Sequence, residues 1–229
     1  MFTLVHLNTP PPESLKSQVL QMVVDYFTDI SPVPLTPDNP LFQLYQYVIG
    51  FEVHLYLQAM SDTQPGAARL LLALDDEDPS QVLGFALYLP SHDDAQACTL
   101  AYTAVQASHR RRGIARAMLK KIIEQRPHME LACVARQVPT FEALGLRVLA
   151  AQGPQVLLNT RAQRSSGLVA VQDQAPIYQS KEVRQIHTYL LKQHGEAAMR
   201  EAEHERDRLL DQLTDQAQVL LKERFPTLH

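Results

Sequence analysis

The chain has 229 residues, enough for one large domain or a medium domain with an appendage, and its 45% hydrophobic and 20% charged composition is that of an ordinary globular protein. A disulfide-stapled mini-protein, a collagen-like repeat and wholesale disorder are excluded. The formal charge of -4 is unevenly spread: residues 1–109 hold two basic side chains, Lys16 and Arg69, against twelve acidic ones, whereas residues 110–147 hold nine basic against three. Such a basic block is either a solvated helix face or a seat for a polyanion.

In chain order, Phe2 to Leu7 reads as a strand, followed by Pro10, Pro11 and Pro12 and an amphipathic helix from Glu13 to Phe27. The N-terminus has no basic region, so no signal peptide is expected. Prolines 32, 34, 37 and 40 break the chain before a second helix, Leu41 to Met60, whose Gln43, Gln46, Glu52 and His54 argue against a membrane span. Three strands follow, Arg69 to Leu74, Gln81 to Leu89 and Cys98 to Gln106, separated by the polar turns Asp75 to Ser80 and Ser91 to Gln96. A helix from Gly113 to Gln125 stops at Pro127, Met129 to Val134 forms a strand, and a short helix opens at Pro139 and ends at Gly145. Arg147 to Ala150 and Gln155 to Asn159 close the sheet as an antiparallel pair.

Residues 160–180 are polar, hold Ser165, Ser166 and Gly167, and read as a linker with one short ordered piece around Leu168 to Val171. Beyond it the apolar stripe Val183, Ile186, Leu190 and Ala197 is out of phase with Leu210, Leu213, Ala217 and Leu220, which predicts two helices broken near Gly195. Between them Glu203 to Arg206 and Glu205 to Arg208 stand at a helical pairing distance. This tail either packs on the domain or serves a homodimer or partner protein through residues 181–229.

The chemically informative stretch is Val105-Gln-Ala-Ser-His-Arg-Arg-Arg-Gly-Ile-Ala115, where a strand ends and a helix begins. A helix start leaves unpaired N–H groups and partial positive charge, so it can hold a phosphate on main-chain donors. Gly113 admits close approach of a ligand, Ala115 keeps the next turn small, and the arginines add positive field. Nine scattered histidines give no metal-binding pair, and neither a Gly-x4-Gly-Lys phosphate loop nor a dinucleotide fingerprint is present. Nucleic acid is a poor partner because the rest of the chain repels phosphates. Cys98 and Cys133 lie in apolar runs, which suits reduced thiols in a cytoplasmic protein.

Arg110, Gly113 and Ala115, with Val105 at the strand end, Phe141 followed by Gly145 and Leu146, and the element order from Phe2 to Asn159, resemble the GCN5-related N-acetyltransferase (GNAT) superfamily over about two thirds of the chain. The resemblance implies an α/β fold, a mixed, mostly antiparallel sheet flanked by helices, over residues 1–160, with a linker at 161–180 and a helical extension at 181–229. It implies acetyl-CoA as cofactor, its diphosphate on the amides of Arg111, Arg112, Gly113, Ile114 and Ala115 with Arg110 and Arg116 beside it. The pantetheine arm would pair with the backbone of Thr103, Ala104 and Val105, between two parallel strands that diverge. An amide near Val105 would then stabilise the developing oxyanion by about 3–4 kcal/mol.

The acceptor implied is a primary amine, of a protein lysine, a protein N-terminus or a small molecule. Members often place a Glu six residues before Val105, where this chain has Thr99, and a Tyr acid where it has Phe141. Tyr102, Asp93, Asp94 and His54 are the candidates for a base, Phe141 packs against the cofactor, and a thiol pKa near 8.5 makes the thiolate a tolerable leaving group. The alternative is a binding module that keeps the acyl-CoA seat and acts through its tail.

Overall fold

The computed structural model describes residues 1–165, 168–171 and 173–225. Seven strands form one sheet in the order β1-β2-β3-β4-β5-β7-β6: β1 Phe2–Leu7, β2 Arg69–Asp75, β3 Val82–Pro90, β4 Ala97–Val105, β5 His128–Cys133, β6 Arg147–Gln152 and β7 Gln155–Asn159. All neighbours are antiparallel except β4 and β5. The expected closing pair is present, with β7 rather than β6 beside β5. β3 is buried at every position, which is why it reads as the nearly unbroken apolar run Val-Leu-Gly-Phe-Ala-Leu-Tyr-Leu-Pro rather than as an alternation.

The sheet divides two apolar cores. On one face lie α1 (Glu13–Asp25), α2 (Phe27–Ile30) and α3 (Phe42–Gln58), with Val19, Val23, Phe27, Val48, Val53 and Leu57 against Leu70, Leu72, Phe85 and Leu87. On the other lie α4 (Ile114–Gln125) and α5 (Val138–Glu142). Ile114, Met118, Leu119 and Ile122 recur at helical spacing and pack that side of α4 against Leu83, Ala86 and Leu131. Gly84 lets α4 approach β3: a Cβ there would stand 3.1 Å from the Ala104 carbonyl and 3.2 Å from Ile114 and Met118. No helix among the described residues is long and apolar enough to cross a membrane.

Two features of the sheet create the central cleft. Leu87 pairs with Tyr102 while Tyr88 pairs with Leu100, so Ala101 is an extra residue, a bulge in β4. Leu100 therefore points into the α4 core, whereas Tyr102 and Ala104 join the α1–α3 core. Beyond it, β4 and β5 part: their parallel pairing covers only Ala97 to Thr99 against His128 to Glu130.

The first helix is shorter than its apolar spacing implies. Tyr26, at φ -111° and ψ 22°, ends α1, and α2 starts again at Phe27. The segment expected to be a linker contains α6 (Ala175–Tyr178), whose Ile177 is buried, as well as the expected piece near Leu168 to Val171, where Leu168 bonds to Asp93 and His92. Of the serine and glycine residues cited for the linker, Ser166 and Gly167 lie outside the described residues.

The tail is α7 (Lys181–Arg224), kinked at Gly195, where φ 81° and ψ 161° leave helical space as the change of apolar phase predicts. Before the kink, Val183 and Leu190 enter the α1–α3 core; after it Met199 and Ala202 do so, while Ala217 reaches the α4 core. Ala197, expected on the first stripe, is exposed, because the break re-phases the helix two residues earlier. The expected intrahelical ion pairs are replaced. Glu205 accepts from Asn39 at 3.2 Å, Arg206 holds Asp207 at 2.7 Å and the Tyr45 hydroxyl at 3.1 Å, and Arg208 reaches Glu201 at 2.6 Å.

Candidate active site

The loop between β4 and α4 is wound so that its amides are free. After a 3-10 turn at Ala107–His109 the chain passes through Arg111 at φ 63° and Gly113 at φ 79°, both left-handed. Among the described residues, the N–H groups of Arg111, Arg112 and Gly113 donate to no carbonyl or side chain. The first amides of α4, from Ile114 onward, start without intrahelical acceptors, so a run of unpaired donors leads into the helix N-terminus. A Cβ added at Gly113 would meet nothing within 4 Å, so the space over these donors is open.

The arginines divide in two. Arg111 and Arg112 are exposed, and among the described residues neither makes a hydrogen bond or an ion pair. Arg110 is committed elsewhere. Its guanidinium lies 4.8 Å over the Tyr26 ring, 2.8 Å from Asp29 Oδ2, and donates through Nε to the Val105 carbonyl at 3.2 Å. Arg116 donates to the Ala143 carbonyl beyond α5 at 3.0 Å. Arg110 thus braces α2 against the strand end, helped by the Ala107 amide donating to the Tyr26 hydroxyl at 2.7 Å.

From the free amides the parted edges of β4 and β5 lead inward to a narrow cleft. It is lined by Leu100, Ala101, Tyr102 and Thr103 of β4, Leu131 to Cys133 of β5, Gln137, Phe141 of α5, and Asp29 and Ile30 of α2. Thr103 donates to Phe85 at 2.9 Å, which fixes β4 on its β3 side and leaves the β5 side unpaired past Thr99. Across the cleft, Gln137 donates to the Asp29 carbonyl at 2.8 Å, and Arg136 to the Thr28 carbonyl at 3.4 Å. Ala104 and Val105 continue the strand from the cleft to the loop, so Thr103, Ala104, Val105 and residues 110–116 form one continuous rim.

The other base candidates lie elsewhere. Asp93 and Asp94 sit in the β3–β4 turn, at the end of β4 remote from the loop, where Asp93 accepts from Ser91 and Leu168, and Asp94 from Arg161 at 3.4 Å. His54 faces a groove between α1 and α3. Cys98 and Cys133 are buried free thiols, both pushed up to about 12 by burial, and so are poor nucleophiles.

Tyr102 has a partner that sequence reasoning passed over. Its hydroxyl donates at 2.8 Å to Glu52 Oε2, a carboxylate only 4% exposed that also accepts from Gln174 Nε2 at 2.6 Å. Burial raises the Glu52 pKa against the opposing pull of these two donors, and burial with the neighbouring Glu52 drives Tyr102 well above the usual phenol value. The clue was available. Glu52 stands four residues after Val48 and four before Tyr56, inside the buried stripe of α3 rather than on its wet face.

Among the described residues no group of three or more His, Cys, Asp or Glu side chains is arranged to hold a metal ion. The free amides, the open space beside Gly113, the two unpaired arginines and the unpaired β4 edge could hold an anionic group at the loop and an extended chain along the strand.

Residues 36–143 match the acetyltransferase (GNAT) family. A crystal structure from Corynebacterium glutamicum, described as histone acetyltransferase HPA2 and related acetyltransferase, is 15% identical, covers 72% of this chain and 98% of its own, and superposes with a TM-score of 0.52. An acyl-CoA N-acyltransferase from Pseudomonas aeruginosa is 10% identical over 70% of this chain and 100% of its own, with a TM-score of 0.49. Escherichia coli ElaA is 14% identical over the same shares, at 0.48. No curated protein sequence gives a significant match.

Proposed function

From the match of residues 36–143 to the GNAT family of acetyltransferases, we propose that this chain binds acetyl-CoA and transfers the acetyl group to a primary amine. The observation that carries the reading is the run of undirected amides at Arg111 to Gly113, opening onto the place where β4 and β5 part. Arg111, Arg112, Gly113, Ile114 and Ala115 would hold the diphosphate on main-chain N–H groups, the free guanidinium groups of Arg111 and Arg112 adding charge. Thr103, Ala104 and Val105 would pair with the pantetheine amides along the open β4 edge, as an added strand pairs with a sheet edge. When bound, acetyl-CoA supplies an activated thioester carbonyl.

The chain's own residues do the rest. A main-chain amide near Val105 would donate to the thioester carbonyl oxygen, and Phe141 lines the cleft beside it. Arg110, Arg136 and Gln137 hold α2 as the wall of that cleft, with main-chain amides fixed before substrate arrives. Because direct attack by the amine needs no enzyme nucleophile, the inert thiols of Cys98 and Cys133 are no obstacle.

In this reading residues 1–160 carry the acyl-CoA seat, 161–180 connect, and 181–229 are a helical extension that packs on both cores and offers its exposed side to a second copy or a partner protein. The protein works in the cytoplasm on an amine-bearing small molecule or protein. Calorimetric titration of the full chain with acetyl-CoA, followed by thiol release in the presence of spermidine, n-propylamine and a lysine-bearing peptide with a free N-terminus, tests the core of it. Saturable binding and amine-dependent release of CoA are expected. Absence of binding overturns the reading.

A further inference from the structure

We propose that Glu52 is the proton sink of the transfer, acting through Tyr102 as the group that meets the amine. The inference rests on the acetyltransferase reading and supplies the base that β4 itself lacks, since no acidic residue stands on that strand. Tyr102 lines the cleft and its hydroxyl donates to Glu52, so one residue adjoins both the cleft and a buried carboxylate. Two donors converge on the same oxygen, Oε2, fixing the carboxylate orientation and holding the Tyr102 hydroxyl proton toward Glu52. The Tyr102 oxygen keeps lone pairs for a proton from outside.

The groups facing Glu52 are Tyr102 from β4, Gln174 ahead of α6 and Tyr178 from α6; on its own helix Tyr56 neighbours Tyr102 and Tyr45 neighbours Tyr178, with Arg206 of α7 behind them. The carboxylate is thus ringed by hydroxyl and amide groups. Arg206 is bonded to Asp207 and Tyr45 instead. A carboxylate stabilised by neutral donors rather than by a salt bridge keeps an affinity for protons, which a base requires.

The acceptor enters as an ammonium ion, and one N–H proton passes to Tyr102 Oη while the hydroxyl's own proton passes to Glu52 Oε2. The freed nitrogen lone pair forms the N–C bond at the thioester carbonyl, and the C–S bond breaks with its electron pair on sulfur. The second N–H proton goes to that sulfur, giving CoA thiol and the amide, and Glu52 returns its proton to water. Glu52 is a positioning and accepting residue behind Tyr102, which is the catalytic contact.

The test compares the full chain with E52Q, E52D, Y102F and Q174L, using the three probe amines above. E52Q and Y102F are expected to lower kcat about 100-fold and to lose the acid limb of the pH profile, with acetyl-CoA affinity unchanged. E52D restores the limb. Q174L removes a donor that favours the charged carboxylate, so its limb moves to higher pH. Without any amine, an infrared titration of the protein should show a protonated-carboxyl band that persists above the range of surface carboxylates and is missing in E52Q. An unchanged pH profile in E52Q, loss of acetyl-CoA affinity in step with activity, or no such band overturns the proposal. Acetyl-CoA binding without turnover on any probe overturns it while sparing the acyl-CoA seat, and absence of binding removes both.

Discussion

Substitution of Gly113 is the sharpest test of where the acyl carrier sits. Gly113 caps α4 at φ 79°, a conformation that costs a residue with a Cβ about 1–2 kcal/mol, so both G113A and G113E should lower the melting temperature by roughly 2–8 °C. Because a Cβ there meets nothing within 4 Å, neither variant has a packing clash to add, and the fold should survive in both. They part company at the ligand. A carboxylate about 4 Å from one phosphate charge at a protein surface is worth about 4 kcal/mol of repulsion, on the order of 1000-fold in dissociation constant. Calorimetric titration with CoA and with adenosine 3′-monophosphate, which has neither a 5′-phosphate nor the pantetheine arm, measures the effect. The loss in G113E should be large for CoA and small for the monophosphate, with G113A close to wild type for both. Equal CoA affinity in G113E and G113A would refute the placement of the diphosphate on residues 111–115.

Other perturbations report on the framework. G84V forces a side chain against the Ala104 carbonyl, which cannot retreat, and against Ile114 and Met118; it should cost about 1–3 kcal/mol in urea denaturation by parting α4 from β3. E52Q should melt above wild type at neutral pH: the folded-state pKa of Glu52 is raised, so its stabilising contribution is complete at acid pH and lost as pH rises through that folded value. The gap between the variant and wild type should therefore close in acid, as thermal melts across pH would show. Cys98 and Cys133, with thiols near 12, should resist iodoacetamide in the native protein and react only in denaturant, as read by intact mass. Deleting residues 181–229 strips Val183, Leu190 and Met199 from the α1–α3 core at about 1.5–3 kcal/mol each, comparable with the net stability of a domain; the truncated chain should show loss of cooperative melting by calorimetry.

Elements with a strong local signal were legible in the sequence: the buried β3 run, the amphipathic α4, the phase change at Gly195 and the strand-loop-helix around Gly113 all match their pattern. What was not legible depends on partners distant along the chain. Tyr26 continues the apolar spacing of α1, so nothing local marks the break that places its hydroxyl on the Ala107 amide, 81 residues away. Arg110 reads as part of an anion seat, yet Asp29 and Tyr26 occupy its guanidinium. Glu203 and Glu205 have arginines at helical spacing, but Asn39 takes Glu205, while Asp207 and Tyr45 take Arg206. Glu52 reads as a polar interruption of a helix because its partners, Tyr102 and Gln174, lie 50 and 122 residues downstream.

The bulge at Ala101 ties the two halves of the site together. Without an extra residue, strand alternation would put Tyr102 on the same face as Leu100, pointing at α4 and away from Glu52. With it, Leu100 keeps the α4 face, while Tyr102 and Ala104 turn to the α1–α3 face, where the carboxylate of α3 is within a hydrogen bond. The same irregularity stands just past the point where β4 leaves β5, whose pairing ends at Thr99, two residues before the bulge, and a bulge favours such a divergence. One inserted residue thus opens the edge that suits an extended acyl carrier and turns toward Glu52 the side chain through which an amine could lose its proton. Deleting Ala101 should therefore do more than narrow the cleft: it reverses the faces of all β4 residues on one side of the gap, so binding and the Tyr102–Glu52 hydrogen bond should be lost together. A deletion variant that folds and binds acetyl-CoA with wild-type affinity would separate the two and show that the bulge does not set the cleft.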